Sequence, residues 1–165
     1  MALNIYVWIR GEQAGEVRGD STVTSMNREG SIEAIEFEHK VQINREASGM
    51  LTGERSHGPI TIKKLIDRSS PILHQILCNF DPVEVTIKFY RPSPVGDGTT
   101  EQFYTIRLRQ GHISSIKTIL PNTLADSTVS LPAMEEVSFV FGEITYTYSS
   151  GSTSSEHTDE WQTHS

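Results

Sequence analysis

The chain has 165 residues, one cysteine, an apolar share of 36% and a net charge of −7. That length fits one domain with a core that needs neither disulfides nor metals, and a lone cysteine excludes an intramolecular disulfide framework. The excess of acid disfavours nucleic acid and anionic membrane surfaces, both of which attract clustered Lys and Arg.

The first nine residues are apolar but lack a basic leader and a small-residue cleavage site, so they read as a strand rather than an export signal. No run reaches membrane-spanning length. From Ala2 to Arg10, Leu3, Ile5, Val7 and Ile9 alternate with Tyr6 and Trp8. Bulk on both faces predicts a strand covered on both sides. Gly11 to Asp20 is turn-rich, and Ser21 to Asn27 reads as a weak strand. Between Gly30 and Asn44, Ile35, Phe37, Val41 and Ile43 share one parity, with His39 among them. Glu36, Glu38, Lys40 and Gln42 share the other. A period of two with one polar face predicts a strand packed on one side and wet on the other.

Arg45 to Gly58 carries Gly49, Gly53 and Gly58 with little periodicity, and reads as a long loop or a hairpin leaving the body. Ile60 and Ile62 begin a short strand. A helix is predicted over about 71–79: Pro71 suits its first position, Ser70 its cap, and Ile72, Leu73, Ile76 and Leu77 recur at helical spacing. Cys78, near Ile76, Leu77 and Phe80, reads as buried filler.

Val83–Phe89 and Phe103–Arg109 alternate, and Arg91-Pro-Ser-Pro-Val-Gly-Asp-Gly98 between them predicts a hairpin. His112 to Leu120 reads as a strand and Pro121 to Leu131 as a loop. The apolar phase of Val137, Phe139 and Phe141 shifts before Ile144, Tyr146 and Tyr148, which predicts a β-bulge near Gly142. The expected organisation is a β-barrel domain over 1–148 and a polar, Ser-rich, mobile tail over 149–165, with Trp161 able to dock. The fold class is mainly β: two packed antiparallel sheets forming a barrel-like body with one short α-helix.

Few residues suggest chemistry. Ser69 or Ser70 with His74 and Asp67 would make a hydrolase triad, but no nucleophile elbow surrounds either serine. His157, Asp159 and His164, or His39 with His57, lack recognised metal-ligand spacing. No phosphate loop is present, His57-Gly58-Pro59 reads as a turn, and Trp8 and the tyrosines fall at strand positions. The expectation is a non-enzyme with no cofactor and no metal.

Several segments together resemble one family. They are Asn27-Arg-Glu-Gly-Ser-Ile-Glu33, Phe37-Glu-His39, the Gly-rich stretch with His57-Gly-Pro59, Ile66-Asp67, Ser69-Ser-Pro71, Glu136-Val-Ser-Phe-Val-Phe141, Ile144-Thr-Tyr-Thr-Tyr148 and Asp159-Glu-Trp161. The chain resembles the haemolysin-coregulated proteins, which form the inner tube of the type VI secretion system. That resemblance implies hexameric rings stacked into a hollow tube, a contractile sheath and a spike as partners, and effectors carried in the lumen. It also implies assembly in the bacterial cytoplasm and release without a signal peptide. On this reading Glu36, Glu38, Lys40 and Gln42 face the lumen. Arg45, Ser48, Gly49, Met50, Leu51, Thr52, Gly53, Glu54 and Arg55 form the stacking or subunit-interface loop. The alternative is a monomeric β-sandwich module that binds sugar or peptide.

Overall fold

The computed structural model describes residues 3–161. Its strands are β1 (Asn4–Gly11), β2 (Gly15–Val17), β3 (Ile32–Glu38), β4 (Val41–Arg45), β5 (Leu51–His57), β6 (Ile60–Leu65), β7 (Val83–Pro92), β8 (Thr100–Ile119), β9 (Met134–Val140), β10 (Glu143–Ser150) and β11 (Thr153–Glu160). One α-helix, α1 (Ser70–Cys78), interrupts them.

The antiparallel order β8-β7-β1-β3-β6-β9 closes on itself, because β9 also pairs with β8. Closure removes the sheet edges within this ring of strands. Alternating side chains fill the interior: Val7 and Ile9 from β1, Ile60 and Ile62 from β6, Val85 and Ile87 from β7, Ile106 and Leu108 from β8, Val137 and Phe139 from β9. The hairpin β10–β11 extends the sheet from the first half of β8. β8 serves both sides because it turns at Gln110, whose φ is +53°, next to Gly111. Its first half pairs with β7 and β10 and its second half with β9. A Cβ on Gly111 would stand 3.1 Å and 3.2 Å from the carbonyls of Val83 and Val140, so the corner requires a small residue.

Helix α1 sends Leu73 and Ile76 into the core. Asp81, just beyond it, accepts the Gln13 and Ala14 amides at 2.9 Å each and ties the helix to the β1–β2 turn. At its start, fully buried Lys64 donates to Glu135, Asp67, Ser70 Oγ and the Leu65 carbonyl.

Several expectations need correction. Ser21–Asn27 forms no strand; it ends in a tight turn with Met26 and Asn27 at positive φ. The loop serves to seat buried Arg28 over the rings of Tyr6 and Tyr90, at 5.0 and 4.5 Å. Ile35 is half exposed rather than inward, because the β3–β6 register slips between Ala34 and Glu36. The bulge leaves Ile32 and Ala34 inward before it and Phe37 after it. Ser70 does not cap α1. Ser69 holds the cap position, and Ser70 Oγ instead accepts the Asp67 amide and donates to Glu135. Cys78 is exposed, since the helical turn that buries Leu73 and Ile76 points it outward. At Gly142 the phase shift is a corner rather than a bulge: β9 and β10 pair with the two halves of β8, and the register is unchanged from His112–Val140 to Arg109–Glu143 across the turn at Gln110.

The Ser-rich end is not a free tail over its described length. β10 crosses the expected boundary at residue 148, and β11 pairs with it from Ser150–Thr153 to Glu143–Glu160. Backbone pairing needs no apolar side chains, which is why composition alone missed this strand. Trp161 docks as expected, its Nε1–H donating to the Phe141 carbonyl at 2.9 Å. Residues 162–165, with His164, lie outside the described residues.

Candidate functional site: a polar wall and a projecting hairpin

The outward face of β3, β6, β9 and the second half of β8 is polar. Cross-strand register aligns Glu36 with Lys63, Lys63 with Glu136, and Glu136 with Lys117. Lys63 Nζ lies 2.8 Å from Glu36 and 3.8 Å from Glu136, and the Glu36 bond raises its pKa. Neighbouring rows carry hydroxyls, with Thr61 Oγ1 2.8 Å from Ser138 Oγ. The stripe alternates in sign, so each charge meets its opposite across the sheet and the wall presents little net field.

The four polar residues expected to share this face fall in two places. Glu36 and Glu38 are exposed on the wall. After Glu38 the chain stops pairing with β6; Lys40 lies in the link and Gln42 in β4, opposite Ser56.

The glycine-rich stretch is the hairpin form of the two expectations. Among the described residues β4 and β5 pair only with each other, from Val41–His57 to Arg45–Leu51, with a register shift between Ile43 and Arg45. The bond from the Gly58 amide to the Lys40 carbonyl closes the base at 2.8 Å. β4 follows β3 and β5 leads into β6, so the hairpin continues that antiparallel pair beyond the barrel. Its turn is closed by the Glu46 amide to the Met50 carbonyl and the Gly49 amide to the Glu46 carbonyl, both 2.8 Å. Gly49 at φ +88° and Gly53 at φ +82° supply conformations that other residues resist. Arg45, Ser48, Met50, Leu51, Thr52, Glu54 and Arg55 are all exposed on this arm. So are the apolar side chains of Val41 and Ile43. A lone two-stranded ribbon is marginally stable in water, and one with this much apolar surface calls for a partner.

The root of the arm is specified in detail. His57 is buried, and its Nε2 lies 2.7 Å from Asp159 Oδ2. Arg55 donates to the same oxygen at 2.7 Å and to the Glu160 carbonyl at 3.0 Å. The Arg55 bond, with a smaller share from His57, holds the Asp159 carboxyl below its ordinary pKa. His39 stacks on His57 at 5.6 Å and near Tyr146 at 6.3 Å, and the Trp161 ring lies 5.1 Å from His57. Burial, then the neighbouring His57, lowers the pKa of His39. Burial, then Tyr104 and Asp159, pushes Tyr146 up to about 12. β11 therefore clamps the arm through Asp159. Sequence reading treated His57 as a turn residue and missed this contact; the available signal was the pairing of a histidine-bearing strand start with an acidic residue beside Trp161.

The chemical alternatives have other surroundings. Asp67 accepts both the amide and the hydroxyl of Ser69, and Ser70 serves Lys64 and Glu135. His74 is exposed on α1 and bonds to neither hydroxyl among the described residues. His157 stacks on Tyr146 while Asp159 faces His57. Among the described residues no three His, Cys, Asp or Glu side chains gather as a metal set.

Comparison with known proteins agrees with this architecture. The family model described as "Type VI secretion system effector, Hcp" matches residues 6–148. The "Major exported protein" of Pseudomonas aeruginosa PAO1 is 31% identical over 171 residues, covering 98% of this chain and 97% of that protein. The Hcp1 protein of E. coli EAEC 042 superposes with a TM-score of 0.81 at 26% identity, over 98% of this chain and all of that one. The secreted protein Hcp3 from P. aeruginosa gives 0.76 at 25% identity, over 98% of this chain and 100% of that one. With a closed β-barrel, the helix α1, a projecting arm and a match along most of its length, this chain belongs to the Hcp family of type VI secretion proteins.

Proposed function

We propose that the chain is a structural subunit of the type VI secretion tube: six copies close into a ring, and rings stack around a hollow lumen. The observation that carries this reading is the β4–β5 arm, which leaves Val41, Ile43, Met50 and Leu51 exposed beyond the barrel. Ring closure is head-to-tail association of one surface with a different surface of the next copy. The arm then reaches an adjacent copy, and Glu36 and Glu38 belong to the lumen wall. Lys40 and Gln42 meet cargo at the base of the arm. A wall with paired charges suits effectors that must be held and later released. The sheath and the spike act on the assembled tube from outside and from its tip, and the subunit performs no catalysis. It assembles in the cytoplasm and leaves with the tube, without inserting in a membrane.

Native mass spectrometry and electron microscopy of the purified protein test this. Hexamers that stack at high concentration are expected. Deleting Gly49 to Glu54 should leave rings but abolish stacks. A chain that stays solitary at high concentration would support the binding-module alternative instead, and unchanged stacking after the deletion would remove the arm from the ring-to-ring contact.

A further inference from the structure

The arm and its missing partner are at opposite ends of the same strand pair. β6 starts at Ile60, beside the arm's base, and ends at Leu65. At that far end a cavity of about 290 Å³ is lined by Asp20, Ser21, Glu33, Ile35, Leu65, Ile66 and Asp67. Three of these, Ile35, Leu65 and Ile66, are apolar and 44–50% exposed. Ile35 stands there because of the β3 bulge. Six residues of strand separate the two ends by roughly 20 Å, so the arm does not reach the cavity of its own chain.

The charges match as well. Arg45 and Glu46, at the tip of the arm, form no ion pair among the described residues. Neither does Glu33 at the rim of the cavity. Arg68, beside that rim, is well exposed and only 3.7 Å from the equally exposed Asp20, a loose pair that a better anion can replace. An arm tip offering a cation, an anion and two bare apolar side chains therefore complements a site offering Glu33 and Asp20 as anions, Arg68 as a cation and three apolar side chains, its third carboxylate, Asp67, being already held by Lys64.

We propose that the Ile35–Leu65–Ile66 cavity is the socket for the Met50–Leu51 tip of a second copy of this chain, with Arg45 meeting Glu33. This rests on the stacking reading and identifies the surface that the arm engages. A shift along β6 brings tip onto socket, and such a contact does not close on itself, so it grows along one axis.

Cysteine cross-linking tests the pairing. In a Cys78→Ala background, chains carrying Met50→Cys and chains carrying Ile66→Cys are mixed, stacked and oxidised with copper phenanthroline. Disulfide-linked dimers are expected only in the mixture and only under stacking conditions. Stacks seen by electron microscopy without that disulfide would overturn the socket and leave the stacking reading intact. The disulfide in isolated rings would overturn it too, since the contact would then be lateral. Solitary protein would overturn both readings. As an independent arm, Glu33→Arg and Arg45→Glu should each raise the concentration needed for half-maximal stacking by about tenfold, and the double variant should restore it. No recovery in the double variant would sink the Arg45–Glu33 contact.

Discussion

Lys64→Met should be among the most damaging single changes to the barrel. Lys64 is fully buried, and its ammonium holds Glu135 (1% exposed), Asp67, Ser70 Oγ at 3.2 Å and the Leu65 carbonyl at 2.9 Å. A methionine of similar shape keeps the packing and removes the charge. Asp67 still accepts the Ser69 amide at 2.9 Å, but Glu135 keeps only the Ser70 hydroxyl at 2.7 Å. Breaking a buried pair from one side costs about 3–5 kcal/mol, a large part of the roughly 5–15 kcal/mol that keeps a domain folded. Replacing both partners removes the stranded carboxylate. Lys64→Met/Glu135→Leu should therefore recover about 2 kcal/mol or more over the sum of the single changes. Urea denaturation of wild type, both single variants and the double variant closes this cycle. Strictly additive losses would refute the claim that the two charges are held chiefly for each other.

Two further outcomes follow from named contacts. A Cβ on Gly19 would lie 2.5 Å from the Ser31 carbonyl oxygen and 2.7 Å from Ile32 Cα, so Gly19→Ala should cost about 1–3 kcal/mol and lower Tm by several degrees, read by calorimetry. Stability should also fall with pH in two windows. Burial and His57 depress His39 from its ordinary 6.5, so the unfolded chain binds a proton more readily, and the contribution present above 6.5 is lost as pH falls towards the folded value. Asp159 is depressed from 3.8 by the Arg55 and His57 bonds. For Asp67, burial alone would raise the pKa, but the bonds from Ser69 and Lys64 outweigh it. Both carboxylates give their contributions above 3.8 and lose them as pH falls through their lower folded values. Denaturation across pH should show both windows, and His39→Gln should lack the first; a wild type with flat stability from pH 7 to 5 would contradict this account of His39.

The alternating runs were legible because a period of two survives wherever one face is buried. Val83–Ile87 and Tyr104–Leu108 landed on strands in the expected antiparallel pair. The helix was legible from Pro71 and the Leu73–Ile76 spacing. What escaped were places where one residue resets the pattern. The bulge at Ile35 reverses parity within β3, so the run from Ile35 to Ile43 looked like one strand when it spans a wall and an arm. Gln110 at positive φ turns a strand that carries no proline to announce the corner. The family segments pointed to the arm, yet its clamp joins residues 102 and 104 positions apart, a separation that local periodicity does not encode.

That separation gives the chain an order of events during synthesis. Every strand of the closed ring precedes Phe141, whereas Asp159 and Trp161, which grip the base of the arm, emerge after all of them. A nascent polypeptide can finish its barrel on the ribosome while the arm still swings unaimed. Chains truncated before β11 should thus carry a sound body with no fixed pointer, which delays polymer growth until β11 has been translated.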